Sequence, residues 1–444
     1  MTAAGRAREK LQPLLDAALA AVEPGQAVKR ALAVDRDWLT VGSRSFRLSD
    51  FRRVLLVGAG KASAPMAAAV EDVLGEALPI EGSVTVRYGH GAPTRHVRIR
   101  EASHPMPDDA GVAATRAIVD LLDGADEHDL VICVISGGGS ALLTLPADGV
   151  SLEDLQRTTD ALLRCGAAIN EINVVRKHIE TVKGGGLARA AAPAHVVTLV
   201  LSDVVGNPLD AIASGPTVPD SSSFADAAGV FDRYRLWDQV PASVSGRLRA
   251  GLRGDLPDTP RSGDPVFERT HAVVVGSNAL ACEAAASAAR SLGLQPLVLS
   301  TFVEGEAREV GRVLAALLRE VDASGHPLPR PCCLLLGGET TVTVRGAGQG
   351  GRNQELALAA AFALRGVPDV LLASIGTDGS DGPTDAAGAV VDGTTLDRAS
   401  ALSLDAARCL ANNDSYVFFD RLGDLIRTGP TNTNVNDLYV LLAF

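Results

Sequence analysis

The chain has 444 residues, 46% of them hydrophobic and 21% charged, and a formal net charge of −12 at pH 7. That length can bury large cores and suggests two or three domains. An acidic chain with no long basic stretch lacks the electrostatic footprint of a nucleic-acid or anionic-membrane binder, so any anion it binds must be held by local groups.

The segment Gly5-Arg6-Ala7-Arg8-Glu9-Lys10 mixes charges early and reads as the start of a surface helix, not a secretory signal. No apolar run reaches the roughly 18 residues of a membrane span, and a cytoplasmic location is expected. Beyond this helix, short runs rich in valine, isoleucine and leucine alternate with alanine-rich stretches at helical period, the pattern of an α/β fold with a largely parallel sheet. Strands are predicted at 54–57, 130–135, 196–201, 273–275, 296–299, 332–336 and 370–375. Nearly all of them end in glycine, serine or aspartate clusters, and open α/β sheets bind ligands beyond the carboxyl ends of their strands. The stretch 241–265, rich in proline, glycine and arginine, is expected to link two α/β domains at 1–240 and 266–444; a return of the last segment onto the first domain is the alternative. The six cysteines contain no CxxC pair and read as reduced, mostly buried thiols, and the eight histidines show no zinc-type spacing.

Several strand ends carry residues suited to anion chemistry. Only five of the 41 basic residues are lysines, and three of them, Lys61, Lys177 and Lys183, lie in motifs close to glycine, where a compact ammonium suits phosphate or carboxylate. Gly58-Ala59-Gly60-Lys61-Ala62-Ser63 is a poor dinucleotide fingerprint, because Ser63 replaces the third glycine and the following strand candidate, 84–87, has no ribose-binding carboxylate at its end. It is not a Walker loop either. Ser136-Gly137-Gly138-Gly139-Ser140 opens a helix and can converge backbone N–H groups on an oxyanion or phosphate. In the second half, Arg352 follows a glycine-rich turn at a helix N-terminus, where the helix dipole disfavours a cation, so an anionic ligand is its expected partner. Asp378, Asp381 and Asp385 crowd another strand end, and Asp203 sits at one more; hard carboxylates of this kind suit Mg²⁺.

The ordered set of motifs resembles the glycerate 2-kinase family whose carboxyl-terminal part is called the MOFRL domain. The resemblance spans nearly the whole chain: GAGKAS at 58–63, SHP at 103–105, SGGGSAL at 136–142, INVVRKH at 172–178, KGGGLA at 183–188, LSDVVGN at 201–207, SGPTVPD at 214–220, GGET at 337–340, GGRNQE at 350–355, GTDGSDGPTDAAGA at 376–389 and TNTNVNDL at 431–438. Asn432 is a departure, since such loops more often carry glycine there. The resemblance implies two α/β domains, the first Rossmann-like with a largely parallel sheet and the second of MOFRL type, with the active site in the inter-domain cleft. It implies ATP-dependent phosphorylation of D-glycerate at its 2-hydroxyl, with Lys61 and Arg352 as the catalytic pair. The expected cofactor-binding set is Gly58, Gly60, Ser136, Gly137, Gly138, Gly139, Ser140, Lys183 and Glu339. Asp203 and Asp378 are the expected Mg²⁺ ligands, and Arg176 and Lys183 are candidates for the glycerate carboxylate. No side chain stands out as a general base. The alternative is an NAD(P)H-dependent hydroxypyruvate reductase. Small molecules, D-glycerate and ATP, are the expected partners, with no nucleic acid and no membrane, and homodimer formation is left open.

Overall fold

The structure is a computed structural model that describes residues 3–444, so the first two residues of the expected domain 1–240 lie outside it. The chain forms two compact units. The first comprises residues 24–202 and 207–275; the second comprises the chain up to residue 23, residues 203–206 and residues 276–444.

The first unit begins with a small antiparallel meander of β1 (Leu32–Asp35), β2 (Trp38–Val41) and β3 (Arg44–Arg47). Its main sheet holds β4 (Arg53–Ala59), β5 (Ile80–Arg87), β6 (Val97–Ala102), β7 (Asp129–Ile135), β8 (His195–Leu201) and β9 (Thr270–Gly276), in the order β6-β5-β4-β7-β8-β9. The pairings from β6 through β8 are parallel. Strands β4 and β7 are almost unbroken apolar runs because helices cover both faces of a parallel sheet. From β4 the chain adds β5 and β6 on one side, then returns to place β7 on the other. The junction of β4 and β7 is therefore the topological switch point, where a doubly wound sheet opens a crevice at its carboxyl edge.

The stretch 241–265 is not a free linker. Residues Ala242–Leu252 form a helix whose Val244 and Leu248 are buried in a core with Leu155, Leu162, Val175 and Phe231. Strand β9 beyond it belongs to the first sheet, so the first unit runs to residue 275 and not 240. Composition flags the prolines and glycines of this stretch, but the two apolar residues at i and i+4 are what fix it to the unit.

The second sheet contains β10 (Gln295–Glu306), β11 (Cys332–Thr341), β12 (Val370–Gly376), β13 (Gly388–Asp392), β14 (Leu425–Ile426) and β15 (Asp437–Ala443), in the order β10-β11-β15-β12-β13-β14. Only β10 and β11 pair in parallel; β15, buried along its whole length, enters antiparallel between β11 and β12. Helices Ala307–Ser324 and Arg352–Leu364 cross closely at Gly311, where a Cβ would stand 2.2 Å from the Leu356 carbonyl oxygen. The N-terminal helix, Ala3–Ala21, packs on the helix Asn278–Ser291 of this unit through a stripe that includes buried Leu11, Leu14, Leu15 and Ala18. It is thus a surface helix with one apolar face. All six cysteines are free thiols, and among the described residues no helix is long and apolar enough to cross a membrane.

Asp129 opens β7 with its side chain buried, and both Arg52 and Arg53 grip it in two-pronged fashion at 3.0–3.2 Å. Burial alone would raise its pKa, but Arg53, Arg52 and the Asp126 N–H outweigh that and hold it at about 2. A carboxyl depressed in the folded state contributes stability that is complete above its unfolded pKa near 4 and is lost as pH falls towards 2. Because the arginines are partly exposed, that contribution is at most about 2 kcal/mol. Asp129→Asn should lower the unfolding free energy at pH 7 by about 1–2 kcal/mol and flatten its loss between pH 4 and pH 2.5, as read by urea denaturation.

Candidate active site

At the carboxyl edge of the first sheet, main-chain hydrogen bonds tie three strand ends together. Gly60 N–H donates to Thr85 O at 3.1 Å, Ser136 N–H to Ala59 O at 3.3 Å, and Lys61 N–H to Gly137 O at 2.9 Å. The glycines permit this approach: a Cβ on Gly58 would stand 2.0 Å from Val134 O, and one on Gly60 2.1 Å from Ser136 Oγ. Ser136 is buried, and its Oγ accepts from Ala62 N–H at 3.0 Å and shares a hydrogen bond with Ser63 Oγ at 3.1 Å. Gly58, Gly60 and Ser136, expected to touch a cofactor, are therefore explained by the packing of β4 against β7. Gly139 is also a packing glycine, since its Cβ would meet Ala213 Cβ at 2.7 Å.

Gly137 and Gly138 are the part of the turn that this packing does not account for. Their main-chain N–H groups donate to no protein acceptor among the described residues. Gly138 is left-handed at φ +83°, and a Cβ there would lie 2.9 Å from the His104 ring and 3.5 Å from Lys61 Cε. Lys61 is partly buried and forms no ion pair with a carboxylate among the described residues. An ammonium without a counter-ion beside free N–H donors is a site prepared for an external anion. His104 packs into the same corner, and burial, followed by the fields of Lys61, Arg87 and His90, pulls its pKa down to about 4, so the ring is neutral at pH 7.

Lys183 departs from expectation. It is fully buried, and its ammonium donates to Ser140 O at 2.7 Å and Leu143 O at 2.9 Å while facing Glu180 Oε2 at 3.3 Å. Arg176 donates to Ser140 O at 2.7 Å and to Glu180 Oε1 at 3.1 Å. Glu180 also accepts from Thr144 Oγ1 at 2.7 Å. The three ammonium protons of Lys183 all have acceptors inside the fold, and buried Arg176 gives its Nε–H and one amino group to the same layer, so internal partners account for the placement of both. The two cations instead clamp the carbonyls of the short helix Gly139–Leu142. Ser140 Oγ completes the brace through Ser214 Oγ at 3.0 Å. Lys177 is likewise buried against Asp220 at 3.0 Å.

In the second unit Arg352 begins the helix Arg352–Leu364, as expected, but its anions are internal. Its Nε and one amino group donate to the two oxygens of Asp437 at 2.7 and 2.9 Å, and its other amino group reaches Glu339 Oε1 at 3.0 Å. Asn353 Nδ2 also donates to Asp437, and Asn436 Nδ2 donates to Glu339 at 3.1 Å. Asp381 accepts from the main-chain N–H groups of Asn353 and Gln354 at the start of the same helix, and burial pushes its pKa up to about 6. Burial raises the pKa of Glu339 too; Arg352 opposes this, while Asp437, Asp203 and Asp378 reinforce it. Carboxylates thus outnumber the arginine here. Among the described residues no group of three or more candidate ligands is gathered closely enough to hold a metal by itself. The hard oxygens and surplus negative charge fit Mg²⁺ bound in its usual way, by one or two carboxylates with substrate phosphates and water. Asp378 is exposed, and its Oδ1 accepts from Ser380 N–H at 3.0 Å. Asn432, the departure from the family pattern, has φ +60°, a conformation that asparagine tolerates better than other non-glycine residues.

Sequence reasoning missed His104 as a site residue, and Asp437 with it. Both lay in quoted motifs, SHP and TNTNVNDL, but nothing in those strings marks which side chain meets the site.

The fold is that of a two-unit α/β protein with glycine-rich turns at its strand ends. Residues 10–249 match the family described as a domain of unknown function, DUF4147, and residues 332–437 match the MOFRL family. The chain is 41% identical to the glycerate 2-kinase of Pyrococcus horikoshii, covering 97% of this chain and 96% of that protein. It is 46% identical to the D-glycerate 2-kinase of Thermotoga maritima, over 87% and 90% of the two chains. The crystal structure of glycerate kinase from Thermotoga maritima superposes with a TM-score of 0.89 at 42% identity, covering 99% of this chain and 100% of that one. The protein belongs to the glycerate 2-kinase family with a MOFRL domain.

A structural role for Lys183 has a measurable consequence. Lys183→Met leaves Glu180 buried with one counter-ion fewer and should lower the unfolding free energy by about 3 kcal/mol, while adding Glu180→Gln should recover part of that loss. Chemical denaturation of the two variants checks both values.

Proposed function

We propose that the protein transfers the γ-phosphoryl group of ATP to the 2-hydroxyl of D-glycerate, giving 2-phospho-D-glycerate and ADP. The observation that carries this reading is Lys61, a cation without a counter-ion beside the free N–H groups of Gly137 and Gly138 at the switch point of the first sheet. The names of the relatives agree with it. In the transfer, the glycerate 2-hydroxyl oxygen bonds to the γ-phosphorus as the bond to the β–γ bridging oxygen breaks, and the hydroxyl proton passes to water. Such a loose transition state asks for position and charge more than for a covalent group or a strong base. Lys61 meets the equatorial oxygens of the transferring group, and Gly137 and Gly138 donate to phosphate oxygens. Arg352, its plane fixed by Asp437, is the second-unit cation that the family resemblance pairs with Lys61. Mg²⁺, held by Asp378 and Asp203 together with phosphate oxygens, would neutralise the charge that develops on the leaving ADP. The same reading places the enzyme in the cytoplasm, where ATP and reduced thiols coexist.

A nicotinamide-dependent reductase is disfavoured because β5 ends in Arg87, where a dinucleotide site places the carboxylate that holds the ribose. With D-glycerate and Mg-ATP, phosphorus NMR should show a single new monoester, 2-phosphoglycerate. Lys61→Ala and Arg352→Ala should each lose at least about a hundredfold in kcat/KM, close to 3 kcal/mol of transition-state stabilisation. Activity within tenfold of wild type would remove that residue from the mechanism.

A further inference from the structure

With Arg176 and Lys183 engaged inside the fold, the acceptor carboxylate needs another cation. Arg87 is the last residue of β5, exposed, and without an ion-pair partner among the described residues. His90 follows in a turn closed by His90 N–H donating to Arg87 O at 2.9 Å. His104 lies just past the end of β6, whose last residue, Ala102, is the register partner of Arg87. The carboxylates of this corner are already taken. Glu101 Oε1 accepts from Gly89 N–H at 3.0 Å, and Asp108 accepts from Tyr88 Oη and Gly111 N–H at 2.9 Å each. Burial first, then Arg87, lowers the pKa of His90, whose ring N–H is given to the Lys61 main-chain oxygen, and burial first, then Lys61 and Arg87, takes His104 the same way, so both rings are uncharged at pH 7. The result is one free guanidinium flanked by two neutral imidazoles.

Strand order gives this corner its meaning. Strands β5, β4 and β7 are consecutive neighbours, roughly 4.8 Å apart. Their ends carry, in sequence, Arg87, Lys61 and the Gly137–Gly138 donors. A 2-hydroxy acid holds its hydroxyl and carboxylate on adjacent carbons, so the two groups are only about 3 Å apart. If the phosphoryl group moves at Lys61 and the polyphosphate lies on the β7 side, the carboxylate falls on the β5 side. We propose that Arg87, with neutral His104 beside it, binds the carboxylate of the acceptor and so presents its 2-hydroxyl, not its 3-hydroxyl, to the phosphoryl group at Lys61. The assignment rests on the kinase reading above.

The test compares full-length wild type, Arg87→Gln and Arg87→Lys with D-glycerate and with its neutral amide, glyceramide. Arg87→Gln should raise KM for glycerate at least thirtyfold, leave KM for ATP within twofold, and erase most of the wild-type preference for glycerate over glyceramide; Arg87→Lys should fall between. Phosphorus NMR of the Arg87→Gln product should show 3-phosphoglycerate beside the 2-isomer. A KM for glycerate within threefold of wild type, or an equal rise in KM for ATP, overturns the assignment. If wild type phosphorylates neither compound, the kinase reading fails separately, and calorimetric titration with D-glycerate decides the subsite. Binding lost in Arg87→Gln upholds it; binding unchanged by the substitution, or no binding to wild type, overturns it.

Discussion

The first unit depends on how closely the ends of β4 and β7 can approach. Gly58 and Gly60 lie against Val134 and Ser136 with no room for a Cβ, and each has a positive φ that other residues adopt only under strain. That contact carries Lys61 to Gly137, where main-chain hydrogen bonds fix both turns, and it leaves the N–H groups of Gly137 and Gly138 open. Replacing either packing glycine would separate the two strand ends and with them the ammonium from its neighbouring donors. Their function is indirect: they hold the turn in the shape that makes Lys61 useful.

Behind this turn lies a buried polar layer. Lys183 and Arg176 draw on the same carbonyl, that of Ser140, and share Glu180 beneath it. Burying two cations and one carboxylate is costly in desolvation and is repaid only by complete hydrogen bonding. Each member here is multiply bonded, which gives the short helix Gly139–Leu142 one position and not several. The second unit solves a similar problem with arginine. Arg352 uses its fork to take both oxygens of buried Asp437 and still reach Glu339, a geometry that a lysine point charge could not reproduce.

Much of this was legible in the sequence. The apolar runs marked the strands at the switch point, and the glycine turns marked their ends, because hydrophobic periodicity and positive-φ positions are local properties. The direction of β15 was not legible, since a seven-residue apolar strand reads alike in either sense and its place between β11 and β12 is set by non-local pairing. The extent of the first unit was misread for a similar reason: composition made a linker of a segment that two buried side chains tie down. The role of Lys183 was hidden because a lysine beside three glycines looks like a phosphate ligand until its acceptors are seen, and those come from residues forty positions away. Arg352 and Asp437, 85 residues apart, were each visible in a motif, but their pairing was not.

The two sets of strand ends carry opposite electrostatic surpluses. In the first unit Lys61 and Arg87 stand without carboxylate partners among the described residues, and burial, reinforced by their field, keeps His104 from protonating. In the second, burial, reinforced by Asp437, Asp203 and Asp378, hinders ionisation of Glu339 despite Arg352 beside it. Each surplus destabilises the free fold, because like charges held together repel and the interior screens them poorly. Taken unit by unit, anionic oxygens offset the positive surplus and a divalent cation offsets the negative one. A purely anionic ligand offsets only the first, and a neutral one neither. The charge that each unit leaves unbalanced therefore constrains the sign of what it can bind, and a positive surplus of this kind is local, since the chain as a whole carries a net charge of −12.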